Sequence, residues 1–233
     1  MNINELKVIF EDRDIIVCVK PVGVLSQAAS DTAPGISMCD ILSDRIGGTS
    51  PYIGVVHRLD CGVGGIMVYA KTKSAASSLS AQMNEPNVFK KQYLAAVHGR
   101  PDENSGVMRD LLFKDSQLGK SFVVQRSRKG VKEAVLSYEA MAYDEISGLS
   151  LILVALQTGR THQIRVQFSS RGFPLAGDKK YGAKDNIAGI GLWSYSLEFQ
   201  HPISKVRQSF FALPSANEVP WSIFEKEILS LKK

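Results

Sequence analysis

The feature that most limits what this chain can fold into is a run of short segments rich in β-branched and aromatic residues, each stopped by a turn former. Leu6–Phe10 and Ile15–Lys20 flank the polar turn Glu11–Asp14, and Pro21 and Gly23 then end the second segment, because proline cannot donate to a strand ladder and glycine relieves a turn. Gly65–Thr72, GIMVYAKT, reads as a buried strand. Lys90–His98, Ser121–Gln125, Val131–Tyr143, Leu149–Gln157 and Arg207–Leu213 extend the series. Helical spacing is confined to Ser37–Arg45, Lys73–Asn84, Thr161–Arg171 and a closing helix from about Pro220, begun by that proline or capped by Asn217. In Thr161–Arg171 the threonine can act as cap, with Ile164 and Phe168 at i and i+4 on one face. Residues 28–51 otherwise read as a surface segment. No repeat or linker divides the chain, so one α+β domain over residues 1–233 is expected, with a mixed, largely antiparallel sheet flanked by helices and loops.

Composition narrows the partners. The longest clear apolar run is Leu151–Leu156, far below a membrane span, and the N-terminus MNINELKVIFEDRD lacks the apolar core of a secretory signal. A cytoplasmic protein is expected. The formal net charge of +5 suits a polyanionic partner, since Lys and Arg displace counterions from phosphates. Cys18, Cys39 and Cys61 are odd in number and show no CxxC or Cys/His spacing, which points to reduced thiols and to no metal site.

Four segments carry possible chemistry. In Val55–Thr72 a single Asp60 sits between an apolar approach and the glycines Gly62, Gly64 and Gly65, with Arg58 two residues earlier. In extended chain Arg58 and Asp60 project to one side, and the glycines leave room for a bulky sugar or base. Such a carboxylate suits a nucleophile or base; equally, Asp60 and Arg58 suit a simple loop ion pair. In Leu156–Phe168 a Thr-Gly turn leads into a helix and brings Arg160, His162 and Arg165 near its positive end, a place for a phosphate or buried carboxylate; capping and solvation are the plainer uses. In Lys90–Pro101, Lys91, Tyr93, Ala95 and Val97 share one strand face, and Tyr93 suits either base stacking or ordinary packing. In Pro174–Gly182, Asp178 reads as a second carboxylate or a turn former.

Taken together, these segments resemble the RluA family of pseudouridine synthases. VKPVGVLSQ (19–27) is similar to its first motif, HRLD (57–60) to its signature tetrapeptide and KQYLA (91–95) to its tyrosine strand. TGRTHQIRVQ (158–167) matches its third motif nearly letter for letter, with GDKKYG (177–182) and LEFQHP (197–202) following in order. The resemblance implies that Asp60 is the nucleophile, that Arg165 pairs with it and keeps it ionised, and that Tyr93 and Ile164 hold the target base from its two sides. Arg58 would hold the RNA where the uridine has left the stack, and His57, Arg160 and His162 would complete the substrate contacts. It further implies a monomeric enzyme acting on structured RNA, ribosomal or transfer, with no cofactor and no metal. The first catalytic strand begins within about ten residues of Met1, so no small RNA-binding domain is expected ahead of it, which leaves RNA choice to the catalytic surface. Two departures stand out. The family's Arg/Lys-x-Thr-Ser-Gly after the tetrapeptide is here Cys61-Gly62-Val63-Gly64-Gly65, and its late Leu-His-Ala is Leu192-Trp193-Ser194. Rival readings are a base-releasing hydrolase using Asp60 with Asp178, and an RNA-binding module without catalysis.

Overall fold

Strand pairing begins at the turn the first residues foretold: β1 (Val8–Glu11) and β2 (Ile15–Lys20) are antiparallel, and Asp12 Oδ1 accepts from the amides of Asp14 and Ile15 at 2.8 Å each to fix the reversal. The computed structural model describes residues 6–28 and 36–231. Residues 29–35 of the expected surface segment lie outside the described residues. The fold is α+β, and the chain forms two compact units, residues 1–91 with 194–212 and residues 92–193 with 213–233.

In the first unit β2 lies between β1 and β4 (Gly64–Ala70), and β4 lies between β2 and β10 (Leu192–Gln200); β11 (Arg207–Phe211) pairs with β10, and the short β3 (Gly54–Val55) with β4. All of β4 is buried, as its unbroken apolar wording requires of a central strand. Its side chains join Ile15, Val17, Leu79, Phe89 and Phe199 in one core, where the Phe89 and Phe199 rings stack at 5.5 Å. The helices are capped from the sequence. Ser37 and Asp40 form a reciprocal capping box on α1 (Met38–Ile46), and Thr72 caps α2 (Lys73–Gln82).

In the second unit the strand order is β5-β9-β8-β6-β7: β5 (Lys90–His98), β9 (Leu149–Leu156), β8 (Val131–Asp144), β6 (Ser105–Asp115) and β7 (Lys120–Val124). From β9 outward every pairing is antiparallel. β5 is buried on both faces from Tyr93 to Val97, so the alternation read from its sequence is not used. Two strands had no clear sequence signal. β6 is interrupted by Gly106, Arg109 and Asp110, and β10 by Ser194, Ser196 and Glu198; pairing with neighbours overrides these poor local propensities. The helical reading of Thr161–Arg171 is corrected to the seven residues of α3 (Gln163–Ser169), whose N-cap is His162 in the left-handed region with no side-chain bond. Thr161 caps nothing; its carbonyl instead accepts from Ser121 Oγ at 2.7 Å. Nor is α3 amphipathic, for residues 163–168 are all buried, and the amide nitrogens of Gln163 and Gln167 find internal acceptors. The chain ends in a 3-10 turn (Trp221–Phe224) begun by Pro220, then α4 (Glu225–Ser230). Among the described residues no helix is long and apolar enough to cross a membrane.

Candidate active site

Asp60 sits on the irregular stretch between β3 and β4, and the chain there is held from outside. His57 and Leu59 are buried, Arg58 is exposed and Asp60 half-buried, so the stretch alternates like a strand without pairing as one. Ser26 supplies the missing ladder: its hydroxyl donates to Leu59 O at 2.8 Å and accepts from Leu59 N at 2.9 Å. Tyr69 Oη in turn donates to Ser26 O at 3.1 Å. On the far side of Asp60, Gly23 N donates to Cys61 O at 2.8 Å, and Val63 N closes a turn onto Asp60 O at 3.0 Å.

Lys20 ties the two loops together. Its side chain is fully buried, and its amine donates to Pro21 O, Val24 O and Cys61 O at 2.9, 2.6 and 3.3 Å, one carbonyl for each ammonium proton. Burial pushes this lysine down to about 8, while the charges of Cys61 and Asp60 pull the other way. The family-like VKPVG wording marked the segment, but only coordinates reveal that its lysine braces the aspartate loop. Ser26 lies within the same motif, but nothing in the sequence assigned its hydroxyl to Leu59.

His57, expected among the substrate contacts, is turned inward. Its Nε2 accepts from Val68 N at 3.1 Å, and its ring packs edge-on against Phe89 at 6.0 Å. The ring proton is thereby assigned to Nδ1, which finds no acceptor among the described residues. Burial, aided by the nearby Lys91, pushes His57 down to about 3, so it stays neutral. The loop exit requires glycine at one place. Gly65 has φ +122°, and a Cβ there would meet Ser194 O at 2.3 Å. Val63 is buried, and the Ser194 hydroxyl donates to Ile66 O at 2.9 Å, so both departures from the family wording fall in packed, hydrogen-bonded surroundings.

The second unit holds Tyr93, Arg160, His162, Ile164 and Arg165. Tyr93 and Ile164 are buried in β5 and α3. Arg165 is buried too, and its Nε and Nη2 donate to Asp178 Oδ2 and Oδ1 at 2.6 and 2.8 Å, a two-pronged pair. Its guanidinium also lies 5.0 Å from the centre of the Tyr181 ring. Asp178, read from sequence as a second carboxylate or a turn former, is therefore the residue that aims Arg165. A hydrolase using Asp178 as its second acid loses its support. Tyr181 is a junction: its Oη accepts from Ser121 N at 2.8 Å and lies 2.9 Å from His162 Nδ1. Since one lone pair takes the amide proton, the phenol proton is free to go to His162. Burial raises the Tyr181 phenol and keeps it protonated. Arg160 is exposed, with its Nε bonded to Glu133 O at 2.8 Å.

The loop bearing Asp178 is itself fixed. Asp185 accepts from Gly177 N and from Ile187 N, and meets His98 Nε2 at 2.5 Å. These bonds hold its carboxyl below the usual range despite an opposing effect of burial. Among the described residues no three His, Cys, Asp or Glu side chains gather as a metal site.

A sequence model of the RNA pseudouridylate synthase family matches residues 14–170. The chain is 34% identical over 206 residues to the RNA pseudouridine synthase YlyB of Bacillus subtilis, covering 85% of this chain and 65% of that protein. It is 33% identical over 214 residues to ribosomal large subunit pseudouridine synthase D of Nitrosomonas europaea, covering 85% of this chain and 59% of that one. The chain thus spans somewhat less than two thirds of the length of these relatives. Its fold is also that of human RNA pseudouridylate synthase domain containing 1, with a TM-score of 0.74 at 23% identity over 93% of this chain and 86% of the other.

Proposed function

The chain belongs to the RNA pseudouridylate synthase family, and from that premise we propose that it isomerises a uridine of structured RNA, ribosomal or transfer, to pseudouridine, with Asp60 as nucleophile. It acts in the cytoplasm as a monomer and without a cofactor. The observation that carries this reading is the bracing of the aspartate loop. Leu59 and Cys61, the two neighbours of Asp60, are each bonded to the 20–26 segment, and Asp60 itself is half-buried. A side chain on so fixed a backbone loses little freedom on meeting its target, which is what a positioned nucleophile requires.

The reaction breaks the N1–C1′ bond of uridine, turns the uracil and forms a C5–C1′ bond; C5 loses a proton and N1 gains one, so mass is conserved. A stacked base cannot undergo this, and the nucleotide must be flipped out at a cost of a few kcal/mol. In the proposed assignment Tyr93 and Ile164 hold the extruded base, Arg165 is the cation that favours the ionised nucleophile, and Arg58, Arg160 and His162 contact the RNA. His57 contributes by anchoring the loop.

Mapping pseudouridines in RNA from a deletion strain, and restoring them with purified protein, tests this directly. Asp60→Ala is expected to abolish product while leaving RNA affinity within about tenfold, because affinity comes mainly from phosphate contacts. Free uracil in the reaction, or full product from Asp60→Ala, would overturn it.

A further inference from the structure

The positive charge of this chain is concentrated in one ribbon. Between Phe113 and Lys132 stand Lys114, Lys120, Arg126, Arg128, Lys129 and Lys132 against Asp115 alone. The whole chain holds 28 Lys and Arg and 23 Asp and Glu, so removing those six and that one leaves 22 of each. The remainder is neutral, and the entire formal excess of +5 belongs to the end of β6, to β7 and to the loop leading into β8.

The ribbon's register sorts its side chains. Phe113 faces Phe122 across β6 and β7, and Val131 across β6 and β8. The opposite face carries Leu112, Ser121 and Ala134, all buried, with Lys132 opposite Leu112 at its edge, and Leu112 and Ala134 pack with Val166 and Tyr181. Phe113 and Phe122 therefore stand on the outer face, with Phe122 37% exposed. Cations lie over both rings: the Arg128 guanidinium is 4.6 Å from the Phe113 centroid, and Lys120 Nζ is 5.7 Å from that of Phe122. Residues 125–130 are all exposed, β7 pairs among the described residues with β6 alone, and Lys180 adds its charge by bonding to Gly119 O at 3.0 Å. Aromatic faces left in water beside cations form a platform for unpaired bases and their phosphates.

We propose that this outer face of β6, β7 and the 125–130 loop binds a single-stranded segment of the substrate RNA. Phe122 stacks on a base, and Arg126, Arg128 and Lys129 contact phosphates. The proposal rests on the reading of the chain as an RNA-modifying enzyme, and it puts RNA choice on a surface apart from the residues assigned to the reaction.

The test uses the full chain and a fluorescein-labelled single-stranded oligouridylate of about 16 nucleotides, on the long side of single-strand sites. Fluorescence anisotropy is followed across a salt series. The variant Arg126→Gln/Arg128→Gln/Lys129→Gln is expected to bind at least about tenfold more weakly and to lower the slope of log affinity against log salt by about 2, three single-strand phosphate contacts at roughly 0.7 each. Phe122→Leu is expected to weaken binding about tenfold while leaving the salt slope unchanged, the mark of a lost stack. The exposed Lys226→Gln, on α4, should alter neither. All the changed residues are exposed, so thermal melting should not move; should the triple variant misfold, Phe122→Leu and Arg126→Gln alone decide. Wild-type affinity and slope in the variants would overturn the proposal and point the ribbon toward a protein partner. Pseudouridine formation is measured in parallel. Ribbon-dependent binding without any product would leave the surface standing and sink the assigned reaction, whereas normal product with an unchanged KM in the triple variant would do the reverse.

Discussion

At the level of single residues, the aspartate loop is governed by groups that lie outside it. Gly65 could be read from the sequence only as one glycine among several; its necessity comes from Ser194 O, 2.3 Å from where a Cβ would stand. Gly65→Ala is therefore expected to lower stability by about 2 kcal/mol or more, since backbone cannot move aside as a side chain can. A urea midpoint equal to that of the parent would contradict this. His57 was legible as part of HRLD, but its inward orientation was not, because a four-letter motif carries no information on burial. With its folded value at about 3 and an ordinary one of 6.5, the unfolded chain takes up this proton first as pH falls. Stability should then drop by about 1.4 kcal/mol for each pH unit below 6.5, until the folded value is reached. His57→Asn keeps an acceptor for Val68 N and does not titrate. Its denaturation midpoints between pH 7 and 5 should fall less steeply than those of the parent.

Elements were legible where local pattern and tertiary context agree. β2 and β4 follow from their apolar, β-branched wording, β5 from its alternation, and α1 and α2 from their helical spacing. α3 is the instructive failure. TGRTHQIRVQ looks like a capped amphipathic helix, yet it is short, buried all round and capped by no side chain. Its polar side chains bond to groups distant in sequence, such as Asp178 for Arg165 and Asp110 for the Gln167 amide nitrogen. Paired substitutions separate the two kinds of helix start. Thr72→Ala should cost about 1 kcal/mol through its lost cap on α2, whereas Thr161→Ala should stay within about 0.5 kcal/mol. Equal losses would mean that Thr161 is a cap after all. Asp178→Asn breaks a buried two-pronged pair, at an expected cost of about 3 kcal/mol in denaturant unfolding. An Asp178→Asn protein as stable as the parent would remove Asp178 from the role of aiming Arg165.

For the molecule as a whole, the α+β class was readable from the sequence through its periodicity. The two-unit division was not, because it depends on which distant segments pack together. The thiols offer a direct measure of integrity. Cys61 is exposed, whereas Cys18 lies in the core of β2 and is pushed up to about 12 by burial. A thiol reagent should label Cys61 in the native protein, and Cys18 only as fast as the fold opens. Rapid labelling of Cys18 under native conditions, detected by peptide mass, would mean that the strand is far less secure than its burial implies.

The way Ser26 substitutes for a neighbouring strand at Leu59 has a consequence for how such a protein can change. Because the aspartate's peptide neighbours are gripped by a separate stretch of chain, the letters that follow Asp60 are not what keeps it in place. That exit becomes a replaceable insert: grafting Arg, Thr and Ser onto positions 61, 63 and 64, with Gly65 kept, should leave the carboxylate where it is, whereas a single lost hydroxyl at position 26, far away in the sequence, should set it adrift.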